Sequence, residues 1–387
     1  MSTSLVVYSF LMCSMIFLGK LISQRYCFYS WKDKGVVYKR EIPTIPKYAW
    51  VFFLLFAFFA GVRYDVGVDH LHYIETYIYG QDWGNRYEFL FRSLEDICKT
   101  LGLSYPIFFF VLALLQISLY FLAFKKDVYI YPFLVLFFFC NGEWLNFNNI
   151  IRCMLAGCVW LYSLKYIQTK QIWRYLIGVL IAVLFHKSAV ILIACYPLLK
   201  DKKDWFKSIP LQLCLFGVVF LISKVLFNYI FLFENLINQY GALLGYSFYN
   251  LDTLIGSVGE NKGSGLGFLL KICINIMIVL SSNNMKKFYR FNHEFIMIYN
   301  LYFVGAILLT YIFPVGVISL SRPFRYFYLF QNIMLAYYAY YLLKSNNKGN
   351  RLILYGLIAS FVVIFYWSII SGTPDSHSWY QFCFEYM

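Results

Sequence analysis

Apolar runs of membrane-spanning length, separated by short charged connections, occupy most of the chain. They fall at roughly 4–23, 48–62, 105–124, 128–145, 150–167, 173–186, 188–199, 209–232, 266–282, 295–313, 325–343 and 352–371. An apolar stretch near twenty residues reads as a transmembrane helix. The pattern therefore predicts an all-α, polytopic integral membrane protein with about twelve transmembrane helices, residues 1–387 forming a single transmembrane domain. One interruption stands out. His186-Lys187-Ser188 breaks an otherwise continuous apolar region. The basic connections around Lys170 and Lys202 should lie on the same side, so two short helices or a re-entrant hairpin with its apex at His186 are expected, rather than one long helix.

Composition agrees with this reading. The chain is 61% hydrophobic and only 13% charged, whereas soluble domains carry about 25% charged residues. The net charge of +14 does not call for a nucleic-acid partner. Most basic residues cluster in connections such as Arg25–Lys47, Lys125-Lys126, Lys200–Lys207 and Lys344–Arg351, and these are placed in the cytoplasm by the positive-inside rule. The first segment has no positive residue before it, unlike a signal peptide. It is expected to be a retained helix with its N-terminus outside. The ten cysteines include no CxxC pair; Cys98 and Cys383 are the two placed for an outside disulfide.

The outward connections are then 63–104, 141–149, the apex at 186–187, 233–265, 314–324 and the tail from 372. In the first, Leu90, Leu94, Ile97 and Leu101 recur at helical spacing opposite Arg92, Glu95, Asp96 and Lys99. That predicts an amphipathic helix lying on the outer membrane face. The glycine-rich connection 233–265 reads as a mobile loop or lid.

Candidate chemistry gathers in these connections. Ionisable groups at a membrane edge are functional candidates by default. Arg63 follows the second segment. Arg152 falls in the first turn of the segment after Asn146-Phe-Asn148-Asn149, where an asparagine cap is expected. Arg322 and Arg325 bracket Pro323, a residue favoured at helix starts. Arginine near a helix N-terminus suits phosphate; snorkelling toward headgroups is the competing role. His186 can be a proton acceptor, a phosphate partner or a satisfied interior histidine. Asp69 and Glu88 are candidate general bases, although Glu88 also fits a capping box begun at Asn85. His70 and His72 flank Asp69, but no further ligand lies at metal-binding spacing, and no cofactor motif occurs.

In order and interval, these motifs resemble the EpsG-like branch of the Wzy-type polysaccharide polymerases. The resemblance rests on Arg63-Tyr-Asp65-Val-Gly67-Val-Asp69-His-Leu-His-Tyr73, Tyr87-Glu88, Asn149-Ile-Ile-Arg152, Phe185-His186-Lys-Ser188-Ala189 and the turn at Arg322 and Arg325. It covers about residues 50 to 345. Val68, Phe89 and Cys153 depart from the family's usual Thr, Pro and Gln. The resemblance implies a GT-C-like fold and a metal-independent glycosyltransferase without cofactors on the outer face of the cytoplasmic membrane. The enzyme would join undecaprenyl-pyrophosphate-linked oligosaccharide repeat units, with a chain-length regulator and a flippase as candidate partner proteins. Arg152, Arg322 and Arg325 would hold pyrophosphate, and Arg63 would hold pyrophosphate or order its loop. Asp69, His186 or Glu88 would take the acceptor proton. All are expected to meet in one anion-holding cavity. A lipid-linked oligosaccharide flippase and a membrane-bound acyltransferase are the rival readings. The first would need polar groups through the midplane, and the second would leave four arginines without a role.

Overall fold

The computed structural model describes residues 1–26, 29–32, 35–38, 47–80, 87–228, 265–292, 294–312, 322–345, 347–373 and 376–386. Nearly all of the connection 233–265 and residues 81–86 lie outside them. The described chain is all-helical apart from four short strands. It forms two compact units: residues 1–30, 37–196 and 335–387 in the first, and 31–36 with 197–334 in the second.

The helices of the first unit are α1 (Ser2–Tyr26), α2 (Lys47–Gly61), α3 (His70–Tyr79), α4 (Phe89–Thr100), α5 (Tyr105–Leu122), α6 (Tyr131–Cys140), α7 (Glu143–Asn149), α8 (Ile151–Ser163), α9 (Lys165–Gln168) and α10 (Ile172–Phe185), and the chain passes into the second unit within α11 (Cys195–Leu199). The second unit carries α12 (Ile209–Asn228), α13 (Leu266–Phe288) and α14 (Phe295–Ala306). A 3₁₀ turn, Arg322–Tyr328, leads into α15 (Leu329–Lys344), within which the chain returns to the first unit at Leu335, and α16 (Lys348–Ile370) follows there. Strands β1 (Tyr29–Lys32) and β2 (Gly35–Tyr38) pair with each other, as do β3 (Arg63–Tyr64) and β4 (Gln381–Phe382).

The protein is a membrane protein, though many of its apolar stretches are shorter than a full span. Among the described residues four helices are long and apolar enough to cross a membrane: Ser2–Gln24, Tyr105–Leu122, Leu266–Phe288 and Lys348–Ile370. A fifth arises if Val128–Cys140 and Glu143–Asn149, bent by 66°, count as one span. Shorter apolar helices occur at Tyr48–Gly61, Ile172–Phe185, Lys187–Leu199, Ile209–Ser223 and Phe295–Thr310. A ten-residue helix is only about 15 Å long, half of a ~30 Å hydrocarbon core.

The apolar region is broken at His186, as expected of a hairpin. α10 ends at Phe185, His186 is extended, and an eight-residue 3₁₀ run, Lys187–Ala194, follows. The chain turns back on itself there. Tyr175, near the start of α10, donates its hydroxyl to the Leu192 carbonyl at 2.6 Å and packs 5.5 Å from the Tyr196 ring. On one straight helix those positions would be some 25–30 Å apart.

Packing in the first unit is mainly aromatic and aliphatic. α2 lies against α5, α8 against α10, and α1 against α6. Gly61 permits the first of these contacts: a Cβ there would come within 2.8 Å of the Pro106 carbonyl. Close backbone approach through small residues is how helices associate in lipid, where burial alone gives little drive. Buried polar groups are satisfied across elements. Asp127 accepts from the Tyr337 hydroxyl at 2.7 Å, and Gln116 donates to the carbonyls of Phe147 and Ile151. In the second unit, Lys286 pairs with Asp204 at 3.0 Å, and Asn275 accepts from Tyr302 at 2.8 Å.

A C-terminal strap completes the first unit. β4 pairs antiparallel with β3, Arg63 opposite Phe382 and Tyr64 opposite Gln381. Tyr380 donates to the Phe59 carbonyl, and Tyr8 donates to that of Ser378. Cys98 and Cys383 are both free thiols, each buried separately, so the expected disulfide is not formed. The side chain of Cys383 packs where strap meets loop, and there burial raises the thiol pKa.

Tyr175→Phe removes both the donor to Leu192 and the acceptor of the Trp160 indole N–H, which reaches it at 3.0 Å. The expected cost is about 1–3 kcal/mol for each buried group left short, read as a lower apparent Tm in detergent. An unchanged Tm would mean that the hairpin is pinned elsewhere.

Candidate active site

The connection after α2 is built by a tight glycine turn. Gly67 has φ of +100°, a conformation that L side chains rarely adopt, and a Cβ would meet Asn149 at 3.0 Å. Its N–H donates to the His377 carbonyl of the strap at 2.7 Å. Asp69 then forms the N-cap of α3. Its carboxylate makes no capping bond and is exposed, while its backbone N–H donates to Asn149 Oδ1 at 3.0 Å. The expected asparagine cap is thereby corrected. Asn146–Asn149 are themselves helical, α8 has no side-chain cap, and Asn149 serves the start of α3 instead. One turn along α3, Tyr73 is buried and hydrogen-bonds the Arg152 guanidinium. The Gly67-x-Asp69-x-x-x-Tyr73 spacing thus joins turn, cap and a contact to the next motif.

Glu88 is the centre of the site. It sits at the N-cap of α4, but its carboxylate does not cap that helix, so the capping-box role is also corrected. One oxygen accepts from Arg152 Nη1 at 2.6 Å. The other accepts the Lys187 backbone N–H at 3.3 Å and lies 3.6 Å from His186 Nδ1. Glu88 and His186 are buried, and Arg152 is partly buried in the first turn of α8. The guanidinium also lies over the Tyr87 ring, 4.7 Å from its centroid, a cation–π contact. Tyr87 shares a hydrogen bond with Thr76 at 3.2 Å. Burial raises the Tyr87 and Tyr73 phenols above their ordinary range, so both remain neutral.

His186 has two partners for one nitrogen. With Nδ1 unprotonated it accepts from Ser188, whose N–H and hydroxyl lie at 3.4 and 3.3 Å. Protonated there, it faces Glu88. The imidazole thus lies beside the Glu88–Arg152 ion pair.

Arg63 stands apart from this cluster. It is 2% exposed and donates to the carbonyls of Ala60, Val66 and Asn148, with its guanidinium 5.0 Å from the Phe109 centroid. Of its two expected roles, the geometry fits ordering of the loop. Burial lowers its pKa to about 10, which keeps it charged. His70 stacks on the same Phe109 ring at 4.7 Å. It is fully buried, and neither ring nitrogen has a hydrogen-bond partner among the described residues. Burial, then the nearby Arg63 charge, holds it well below its ordinary pKa and thus neutral. No metal-holding cluster of His, Cys, Asp or Glu occurs among the described residues. Arg322 and Arg325 lie in the 3₁₀ turn that leads into α15, in the second unit, with Pro323 between them.

The helix α4 is amphipathic, as its sequence pattern predicts. Phe91, Glu95 and Cys98 face inward, and Glu95 pairs with Lys99 at 2.6 Å. Ile97 and Leu101 stay exposed, leaving the apolar face outward and unburied by protein.

Residues 47–386 match the family model described as the EpsG family. The chain belongs to the EpsG family. No curated protein and no solved structure matches it. EpsG membership brings the general role of a polysaccharide polymerase of glycosyltransferase type in exopolysaccharide biosynthesis. The match also runs past residue 345 into the strap. That extension has a physical counterpart: Asp65 and His377, both with left-handed backbone, are joined at 2.7 Å. Tyr73 and Tyr87 were visible in the sequence motifs only as spacing marks; their contact with Arg152 is what gives them a role.

Because His70 binds its proton more weakly in the folded state than at its ordinary value of 6.5, the unfolded chain binds more protons at acid pH. Its contribution to stability is complete above about pH 6.5 and is lost as pH falls toward the folded pKa. Apparent Tm should drop from pH 7.5 to 5.5, and drop less in His70→Leu; an equal drop in both assigns the effect to other groups. A double-mutant cycle of Glu88→Gln and Arg152→Gln should give a coupling of about 0.5–3 kcal/mol in unfolding free energy, whereas additivity would mean the pair contributes nothing.

Proposed function

We propose that this EpsG-family protein joins lipid-pyrophosphate-linked oligosaccharide repeat units at the outer face of the cytoplasmic membrane, without a metal. The twelve segments read from the apolar runs, and the GT-C-like fold implied by the resemblance, belong to the same proposal. In the reaction, the bond between the growing chain's anomeric carbon and its lipid pyrophosphate breaks. A hydroxyl oxygen of the next lipid-linked unit bonds that carbon, and its proton passes to a base.

The observation that carries the reading is the Glu88–Arg152–His186 cluster. A carboxylate, a guanidinium and an imidazole meet at the broken ends of apolar helices, where a lipid-borne anion and a sugar hydroxyl can both arrive. Arg152 offers charge to the leaving pyrophosphate, the position where positive charge lowers the barrier most. As the anion draws on Arg152, Glu88 is released from the ion pair to accept the hydroxyl proton, with His186 to relay it. Asp69 is the other candidate base, and Arg322 and Arg325 are further pyrophosphate ligands. Arg63 acts by holding the loop that carries Asp69.

Purified protein given only lipid-linked repeat units should lengthen them. Glu88→Gln and Arg152→Ala should each slow that step by about a hundredfold or more, with normal protein levels in the membrane. Arg152→Lys should not restore it, because a lysine lacks the planar fork. Normal polymer length and yield in Arg152→Ala and Arg322→Ala would overturn the assignment. Units that change sidedness without growing would point to a flippase.

A further inference from the structure

An open groove of about 510 Å³ runs between α5, α8 and α10 in the first unit. Its size falls in the ~300–1,000 Å³ range of ligand pockets. Leu115, Leu119, Leu155, Val159, Ile177 and Ile181 form most of its walls. Ile177 is 57% exposed and Ile181 38%, so the groove opens sideways rather than into the packed interior. Phe185 lines it at one end and Arg174 at the other. Those residues are the two ends of α10, roughly 16 Å apart along the helix.

The placement of the Phe185 end is informative. Phe185 immediately precedes His186, and Leu155 lies one turn along α8 from Arg152. The groove therefore starts directly beneath the Glu88–Arg152–His186 cluster. At the opposite end the cations are already engaged. Arg174 donates to Gln171 at 2.8 Å, and the Lys165 ammonium lies over the Tyr162 and Tyr166 rings. An amphiphile lying here has its anionic head at the cluster and its tail running toward Arg174.

We propose that this groove holds the isoprenoid segment next to the pyrophosphate of the lipid-linked substrate, admitted sideways from the bilayer. The inference rests on the reading that a lipid pyrophosphate occupies the cluster. It adds where the tail lies and which helices select it. An ordinary phospholipid of the opposite leaflet would instead place its phosphate at the Arg174 end, where Arg174 bonds Gln171 and Lys165 lies over two tyrosine rings.

The test uses the full chain in nanodiscs of phosphatidylethanolamine and phosphatidylglycerol. The probe is a sugar-free polyprenyl pyrophosphate with a diazirine a few isoprene units from the pyrophosphate. Adducts are expected on peptides containing Leu115–Leu119, Leu155–Val159 and Ile177–Phe185. Excess unlabelled polyprenyl pyrophosphate should cut them about tenfold or more, and the same excess of phosphatidylglycerol should not. Val159→Trp and Ile181→Trp, which fill the groove, should each reduce the adducts by a similar factor. Should neither variant fold, the wild type decides: a probe shortened to two isoprene units should be captured about tenfold less well. Adducts on other helices, equal displacement by phosphatidylglycerol, or equal capture of the short probe overturns the proposal. Groove labelling by a protein that fails to lengthen repeat units would uphold the tail site and remove the polymerase reading. Lengthening with labels elsewhere would do the reverse.

Discussion

A carboxylate buried among apolar helices has to be paired, and here that requirement falls on Glu88. Removing such a charge from water costs several kcal/mol unless countercharge and donors replace the lost hydration. Arg152 supplies the charge and the Lys187 N–H supplies a donor. Three pieces of chain far apart in sequence, the starts of α4 and α8 and the break after α10, are consequently held to one point. Side chains that no single helix could bring together share a small volume, and the break at His186 exists in a form that lets its backbone serve the carboxylate.

The two arginines of the first unit show how burial separates roles that look alike in sequence. Arg63 and Arg152 each follow or begin an apolar segment. Arg63 spends its donors on main-chain carbonyls and is sealed over Phe109, so it acts as a fixed scaffold charge. Arg152 has a carboxylate, a phenol and an aromatic face as neighbours, and its side chain retains 22% exposure. A guanidinium held by groups that can reorganise suits an exchange of partners; one held by backbone does not.

Much of this was legible in the sequence, for reasons that differ by residue. Apolar run length reports on the membrane directly, and the spacing of basic connections limits how the chain can run between them, which is why the helical class and the reversal at His186 could be anticipated. Gly67, Asp69 and Tyr73 could be recognised by spacing because helix geometry places a cap and a residue one turn later on related faces. Local rules failed where a distant partner competed. Glu88 and Asn149 both fit capping patterns, yet each bonds outside its own helix, since an interior charge or turn donor gains more from them than an exposed helix end does. On α4, Glu95 is buried against Lys99, whose ammonium also donates to the Thr76 carbonyl.

The strap has a consequence for how the protein is made. Asp65 meets its partner only 312 residues downstream, and the Gly67 and Val62 backbone groups bond residues 377 and 383. Contacts of such long range form late, after the intervening chain has been placed. The turn that presents Asp69 and leads to Tyr73 thus acquires its last backbone partners only once the rest of the bundle has been threaded into the bilayer. A half-inserted chain lacks them, so the turn reaches its final form only when the C-terminal residues have arrived.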